Sequence, residues 1–564
     1  MTKLGREGQP LAESSLESSS KELSGATFGA MAGVVLSRFS GIIRQQILSF
    51  VFGAGLATDA FNIAARYPNS LRDLLADGAL SSAFTKSLVE AKLQGRAAES
   101  KLIAVVTAFF GCVTLALAIL GCTFAEPFMR ATTSEAFVAR GGLPLATNLF
   151  RILAFYLPIV MFSASAMAIL GVYRQTFKAT FASAFFNVGN IAGALILAPI
   201  FAWFGQDPIY GLATGAIAGG FFQFIYSARP LRELGLLVRP KIAWRDLTDF
   251  RPLRDVLFMM GPRALSQGAM VLALFINTLL ASKGNGTITY ISNAQTIILV
   301  PVGLFGVASG FSSLPVLTEA ANEPGGQRFA NLLGQSISGA MWLAFFSLVA
   351  FALLATPFCS VLFAHGRFTH ADAIATATAV CAYGIAIVFN SASKVVHQGF
   401  FALGQTRQVV INSLIYLAVN TTCSWYFSKF DSGPVPFGLS NSLAAACDFS
   451  LNVFFLHKIC GKKDINLFLH SAKAGFSIPR IAVLSALAFP LAIGGIVWAS
   501  RITNYATLAF PNIGLLVTNL CLLAIGGTIF LATFLVATKL FGPPAISTFQ
   551  QKLFRKIEHK IRRS

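Results

Sequence analysis

The sequence predicts an all-α polytopic membrane protein: fourteen transmembrane helices, in two six-helix lobes related by pseudo-twofold symmetry plus a C-terminal helix pair. Three observations predict it. The 564 residues are 55% hydrophobic and only 12% charged, with a mean hydropathy of +0.68, whereas a soluble domain carries about a quarter charged residues. Apolar runs of about 20 residues, long enough to cross a bilayer as a helix, recur fourteen times. The alternating ten-residue pattern of a transmembrane β-barrel is absent.

The elements follow in order. Residues 1–25, MTKLGREGQPLAESSLESSSKELSG, lack the apolar core of a signal peptide and read as a short, mobile cytoplasmic tail. Segments centred in 26–52, 57–90, 103–125, 145–172, 179–203 and 208–228 make an N-lobe over 26–228. A basic cytoplasmic loop, 229–254, leads to segments in 255–281, 287–318, 331–360, 371–403, 408–428 and 433–457, the C-lobe over 255–457. A second basic loop, 458–477, precedes the terminal pair, 478–500 and 510–538, within 478–540, and a basic tail occupies 541–564.

The formal charge of +20 would suggest nucleic acid in a soluble protein. Its placement argues otherwise. The densest clusters, RPLRELGLLVRPKIAWRDLTDFRPLRD (229–255) and KLFRKIEHKIRR near the C-terminus, fall on the side that is cytoplasmic if the N-terminus is. That is the positive-inside pattern, with both termini cytoplasmic and the clusters attracted to anionic membrane lipids. No nucleic acid partner is expected.

The six-plus-six spacing suits a transporter whose two repeats rock about a central site. A faint internal repeat agrees: GALSSAFTKSLVEA (78–91) and SGFSSLPVLTEAA (309–321) each follow a segment containing a proline, Pro68 or Pro301. Neither a Walker A sequence, GxSxG nor HExxH occurs, so the chain reads as no enzyme and as driven by a gradient or a partner. No cofactor is expected beyond a coupling ion of open identity. The eight cysteines lie mostly in apolar runs without metal-binding spacing and read as small core residues, not as disulfides or metal ligands.

Charge inside the apolar segments carries the functional reading. Arg38, Arg44, Arg66, Arg72, Lys86, Arg263 and Lys394 all fall there, and a charge at the bilayer centre costs on the order of 3 kcal/mol on insertion scales. Ser37, Gly41 and Arg44 share a helical face, with Arg38 about 100° away. Asp59, Asn62, Arg66, Asp73 and Asp77 form a polar stripe in the second segment, bent by Pro68. A structural reading pairs Asp59 with an arginine across helices and lets Arg72, Asp73 and Asp77 reach interfacial water. The surplus of cations instead favours an anion-binding cavity, because arginine offers phosphate or diphosphate a planar, permanently charged fork. Asn187, Asn190, Asn277, Asn293, Gln295 and Asn390 could bond a carbohydrate or peptide headgroup, though bonding between helices is their commoner use. Asp448 is open between an ion site, a structural partner and a neutral acid.

SRFSGIIRQQILSFVFGAGLATDAFNIAARYPNSLRDLLADGALSSAF (37–84) resembles the N-terminal signature of the MurJ (MviN) lipid II flippase family, of the multidrug/oligosaccharidyl-lipid/polysaccharide exporter superfamily. Its distinctive parts are FGAG-x-ATDAF, then P-N-x-L-R and G-A-x-S-x-A-F. GPRALSQGAMVLALFINTLLAS (261–282), AHGRFTHADA (364–373) and SASKVVHQGFFALGQTRQ (391–408) resemble the family's seventh helix, an external loop and the lysine-containing tenth helix. The resemblance implies translocation of lipid II, the undecaprenyl-diphosphate-linked peptidoglycan precursor, from the inner to the outer leaflet of the bacterial cytoplasmic membrane by alternating access. It also implies a cationic cavity for the diphosphate and sugars, a groove for the lipid tail against the last two helices, and contact with the cell-wall synthesis machinery.

On these grounds Arg38, Arg44, Asp59, Arg72, Asp77, Arg263 and Lys394 are the expected substrate-binding residues. Arg38 and Arg44 match the family's first-helix arginines and Asp59 its second-helix aspartate; Arg72 matches the first of an arginine pair, and Asp77 stands where glutamate is usual. Three positions depart: Gln45 replaces an acid, Asp73 replaces the second arginine, and TITYISNAQTIILVP lacks an arginine before its proline. Arg263 could restore some of the lost charge. Export of another polyprenyl-diphosphate-linked oligosaccharide fits the same residues; a cation or drug antiporter of the superfamily, which favours an acidic cavity, fits less well.

Overall fold

A computed structural model describes residues 36–72, 79–173, 175–239, 250–303, 317–321, 326–461, 490–498 and 514–543, with a few isolated positions between them. The described residues are nearly all helical and include no strand. Inside a bilayer this is the economical solution, since a helix satisfies its own backbone groups where no water can. The helices run 36–52, Leu56–Arg72, Ala79–Gln94, Arg96–Thr123, Gly142–Val172, Thr176–Trp203, Ile209–Glu233, Arg251–Ala281, Thr287–Pro301, Gln327–Phe363, His370–Ala402, Thr406–Phe427, Val435–Gly461 and Leu515–Phe541. Eight of them are long and apolar enough to cross a membrane. Several overrun the segments expected from hydropathy; Gln327–Phe363, at 37 residues, is about 55 Å long and extends past the hydrocarbon. The segment between the third and fourth spans, expected to be a short loop, is folded into two small helices, Ala125–Ala131 and Glu135–Ala139.

The chain forms two compact units, and the division cuts through the first, second, fourth and seventh spans. One unit holds 64–125 and 148–264 with the residues up to Arg44; the other holds 45–63, 126–147 and 265 onward.

In the first unit the Thr176–Trp203 and Ile209–Glu233 spans meet backbone to backbone. A methyl group on Gly219 would lie 2.8 Å from the Phe185 carbonyl, and one on Gly193 would collide with the Gly211 carbonyl. Small residues permit this approach where no hydrophobic effect drives helices together. Thr176–Trp203 absorbs it with a π turn at Gly193–Leu197. Leu80, Phe84, Val106, Ile169, Leu231 and Met260 belong to one apolar cluster, so the start of Arg251–Ala281 packs on the other helices of this unit. Beside it Glu99, 2% exposed, accepts from Arg96 at 2.9 Å and from the Tyr173 hydroxyl at 2.7 Å. Arg96 also reaches the Leu234 carbonyl, tying the third, fourth and sixth spans together. Burial, then Glu99, raises the Tyr173 phenol above its ordinary value.

In the second unit the tenth span, His370–Ala402, is the central rod. It opens on a capping box in which Thr369 and Asp372 exchange hydrogen bonds, and it is buried along most of its length by Gln327–Phe363 and Val435–Gly461. Leu516, Ile525, Ile529, Val536 and Leu540 of Leu515–Phe541 are exposed, as a lipid-facing helix requires. That helix docks through Trp342, whose indole donates to Thr538 at 3.1 Å, and through Phe346 against Phe534. All eight cysteines are free. The expectation that they are core residues holds for Cys359, Cys381 and Cys460, whereas Cys112 and Cys521 are exposed on apolar helices.

Candidate functional site

The first helix is held in place by short polar contacts to the fifth span. Ser37 and Ser183 share a 2.8 Å hydrogen bond, and Asn187 donates to the Ser40 hydroxyl at 2.8 Å and to the Ser37 carbonyl at 3.2 Å. Gly41 lies under Asn187. This fixes the helix about its axis. Arg44, one turn beyond Gly41, therefore projects its guanidinium over the Phe186 ring, 5.9 Å from the centroid. Arg72, at the end of Leu56–Arg72, reaches the same ring at 5.5 Å. Two permanent cations thus converge on one aromatic face, which Tyr156 backs at 4.9 Å. Arg38, on the same helix as Arg44, is exposed. Like charges brought this close repel, and a multiply charged anion relieves that repulsion while accepting planar guanidinium hydrogen bonds.

Asp59, expected with the arginines, has other company. It is 1% exposed and sits against the start of Thr287–Pro301, accepting from the Gly286 amide at 2.7 Å, the Thr289 amide at 2.9 Å and the Thr289 hydroxyl at 2.7 Å. The N-cap of that helix is Gly286, with φ +75° and no side chain to cap with. Asp59 supplies the missing acceptor from 227 residues away in sequence, at the positive end of the helix dipole.

Further bonds accompany it. Gln45 donates to Asn293, which donates to Ser49 at 3.1 Å; Asn62 donates to Thr289 at 3.4 Å. Arg140 donates to the Ser282 and Lys283 carbonyls, both at 2.8 Å, and the Ser134 amide donates to the Ser282 hydroxyl at 2.8 Å. The first two helices and the segment between the third and fourth spans are thereby bonded to the end of the seventh span and to the eighth. The chain alone gave no such role to Thr289 or Arg140; Gln45 stood out only as a departure from the family pattern, and Asn293 bonds between helices, the commoner use of such amides.

Lys394 is exposed on the central rod, and its neighbour Ser393 donates to Asp448 at 3.0 Å. Of the remaining expected site residues, Asp77 lies outside the described residues, as does the side chain of Arg263. Asp73 is outside them too. Lys86 is exposed and Arg66 buried. The apolar-segment amides largely bond between or within helices: Asn277 donates to Asn420 at 2.9 Å and Asn190 to the Phe186 carbonyl at 2.8 Å. Among the described residues, no cluster of His, Cys, Asp or Glu could hold a metal ion.

The chain matches the family model "Lipid II flippase MurJ" over residues 48–514. It is 30% identical to a lipid II flippase MurJ of Burkholderia cenocepacia over 397 residues, covering 70% of this chain and 76% of that one. It is 27% identical to a probable lipid II flippase MurJ of Haemophilus influenzae, covering 84% and 92%. A solved lipid II flippase MurJ in an inward closed conformation superposes with a TM-score of 0.65 at 20% identity, covering 84% of this chain and 98% of that one. An inward-facing MATE family multidrug transporter of the MOP superfamily superposes with a TM-score of 0.56 at 16% identity, covering 74% and 99%. At these identities the superpositions speak for the fold, while the family model covers most of the chain. The chain belongs to the lipid II flippase MurJ family.

Proposed function

We propose that this protein flips lipid II from the inner to the outer leaflet of the bacterial cytoplasmic membrane by alternating access. It is a transporter, not an enzyme. The observation that carries the reading is the convergence of Arg44 and Arg72 on Phe186. The two guanidinium groups bind the diphosphate, Arg38 guides it in from water, and the aromatic ring holds the guanidinium planes in register. Lys394 adds positive charge for the headgroup; Arg263 and Asp77 are kept as expected substrate-binding residues on the strength of the sequence alone.

Asp59 takes a different part: it closes the external side. Bonded to Gly286 and Thr289, it belongs to a state in which the substrate cannot leave outward, and the protein must break those bonds to release it. In this reading fourteen helices span the membrane, as two six-helix lobes over 26–228 and 255–457 and a terminal pair over 478–540 that borders the lipid tail. The lobes are related by a pseudo-twofold axis, both termini are cytoplasmic, and cell-wall synthases receive the product.

The test is the accessibility of lipid II at the outer face of cells that rely on this protein. Depletion is expected to strand lipid II inside. Normal outer-leaflet lipid II after depletion, in cells with no second flippase, would overturn the proposal.

A further inference from the structure

We propose that the turn joining the first two helices and the turn before the tenth span form a glycine interlock, a backbone latch that holds the external side closed. The inference rests on the alternating-access reading above and adds to it the elements that time its opening. Asp59 and its partners act through side chains; the interlock acts through main chain.

The two turns grip reciprocally. The Arg367 amide donates to the Phe50 carbonyl at 3.0 Å. A methyl group on Gly53 would stand 2.7 Å from the Arg367 carbonyl oxygen, closer than real contacts allow. One on Gly366 would collide with the Phe50 carbonyl oxygen and lie 2.7 Å from Phe50 Cδ2. Each turn thus places a glycine where the other turn's carbonyl arrives. Both glycines have left-handed backbones, φ +71° at Gly53 and +63° at Gly366, which L side chains adopt only with strain. Gly286, also left-handed, faces Ala54 of the same turn.

Each turn is rigid before it meets the other. The Gly53 amide donates to the Ser49 carbonyl at 2.9 Å, and Thr58 donates to the Gly53 carbonyl at 3.0 Å. On the other side the Phe368 amide donates to the His365 carbonyl at 3.2 Å, and Phe368 is buried under Tyr290, which donates to Asp372 at 2.6 Å. Two preformed turns with one main-chain hydrogen bond and close carbonyl contacts engage only in one register. Such a contact is all-or-none, because packed surfaces are bistable rather than continuously deformable. It also separates without unfolding either turn.

The experiment uses the full chain in lipid vesicles, with its eight cysteines replaced and spin labels on cysteines at the exposed positions Gln206 and Lys429. Pulsed distance measurement reads the external separation. Gly53→Ala and Gly366→Ala are each expected to raise the long-distance population at least threefold. Gly404→Ala is the control: Gly404 is equally left-handed, φ +72°, with nothing near its missing Cβ. It introduces the same backbone strain without touching the interlock. Distance distributions for Gly53→Ala and Gly366→Ala that match Gly404→Ala would overturn the proposal. Should an alanine variant fail to fold, Phe50→Ala removes the ring packed on Gly366 without adding strain, and is expected to shift the distribution the same way; an unchanged distribution overturns the proposal. The readout needs no substrate, so normal outer-leaflet lipid II after depletion would count against the flippase reading and leave the interlock standing.

Discussion

The carboxylate of Asp59 accepts hydrogen bonds from both the amide and the hydroxyl of Thr289, at 2.9 and 2.7 Å, and its other oxygen accepts from the Gly286 amide at 2.7 Å. One acid from the second helix therefore stands in for the cap that the eighth helix lacks. Alone, such an acid would be an expensive buried group; here it is satisfied by donors 227 and 230 residues further along the chain.

Asp59→Ala is expected to abolish flipping. It strands two buried amides and a hydroxyl, at about 1–3 kcal/mol for each unsatisfied group. Thr289→Val removes one of the three bonds and should weaken external closure by about 1 kcal/mol. A double-mutant cycle on the accessibility of an external cysteine probe checks this. Additive effects of Asp59→Asn and Thr289→Val would show that the pair does not act together.

Arg44→Ala and Arg72→Ala are each expected to weaken lipid II binding by roughly ten- to a hundredfold, the loss of a charge-assisted hydrogen-bonded contact of about 1.5–3 kcal/mol. Arg44→Lys should recover only part, since an ammonium lacks the planar fork. Phe186→Leu keeps the volume and loses the ring, so both arginines should be affected together. Titration with lipid II in nanodiscs measures all of these, and wild-type affinity in both alanine variants would remove these arginines from the site.

Arg140→Ala is expected to lower stability by about 1–2 kcal/mol, because the Ser282 and Lys283 carbonyls end the Arg251–Ala281 helix and lose two donors. Arg140→Lys, a single point donor, should fall between the two. Thermal unfolding in detergent reads the order, and lipid II binding should stay at the wild-type level.

Glu99→Ala is expected to destabilise the first unit by about 1–3 kcal/mol, leaving the Tyr173 hydroxyl and Arg96 without their shared acceptor. Flipping per folded molecule should be unchanged. A fall in activity out of proportion to folded protein would show that Glu99 does more than hold three spans together.

Much of this protein was legible in its chain. Apolar runs of bilayer length and their flanking charges determined a helical, multi-pass membrane protein, because hydrocarbon admits few alternatives to a helix. The cost of burying charge marked Arg44 and Arg72 along with five other cations of the apolar segments, and the resemblance of 37–84 to a flippase signature supplied the substrate. What the chain could not display was company. Asp59 and Arg44 lie fifteen residues apart in neighbouring segments and read as one polar cluster, yet the structure gives Arg44 an aromatic ring from the fifth span and Asp59 the bare end of the eighth helix. Gly53 and Gly366 stood out only as parts of FGAG and AHGRFTHADA, two stretches of the family resemblance. Their meeting depends on carbonyls more than 300 residues away, and an unpaired helix end or a missing Cβ acquires its meaning only when tertiary structure decides what is brought against it.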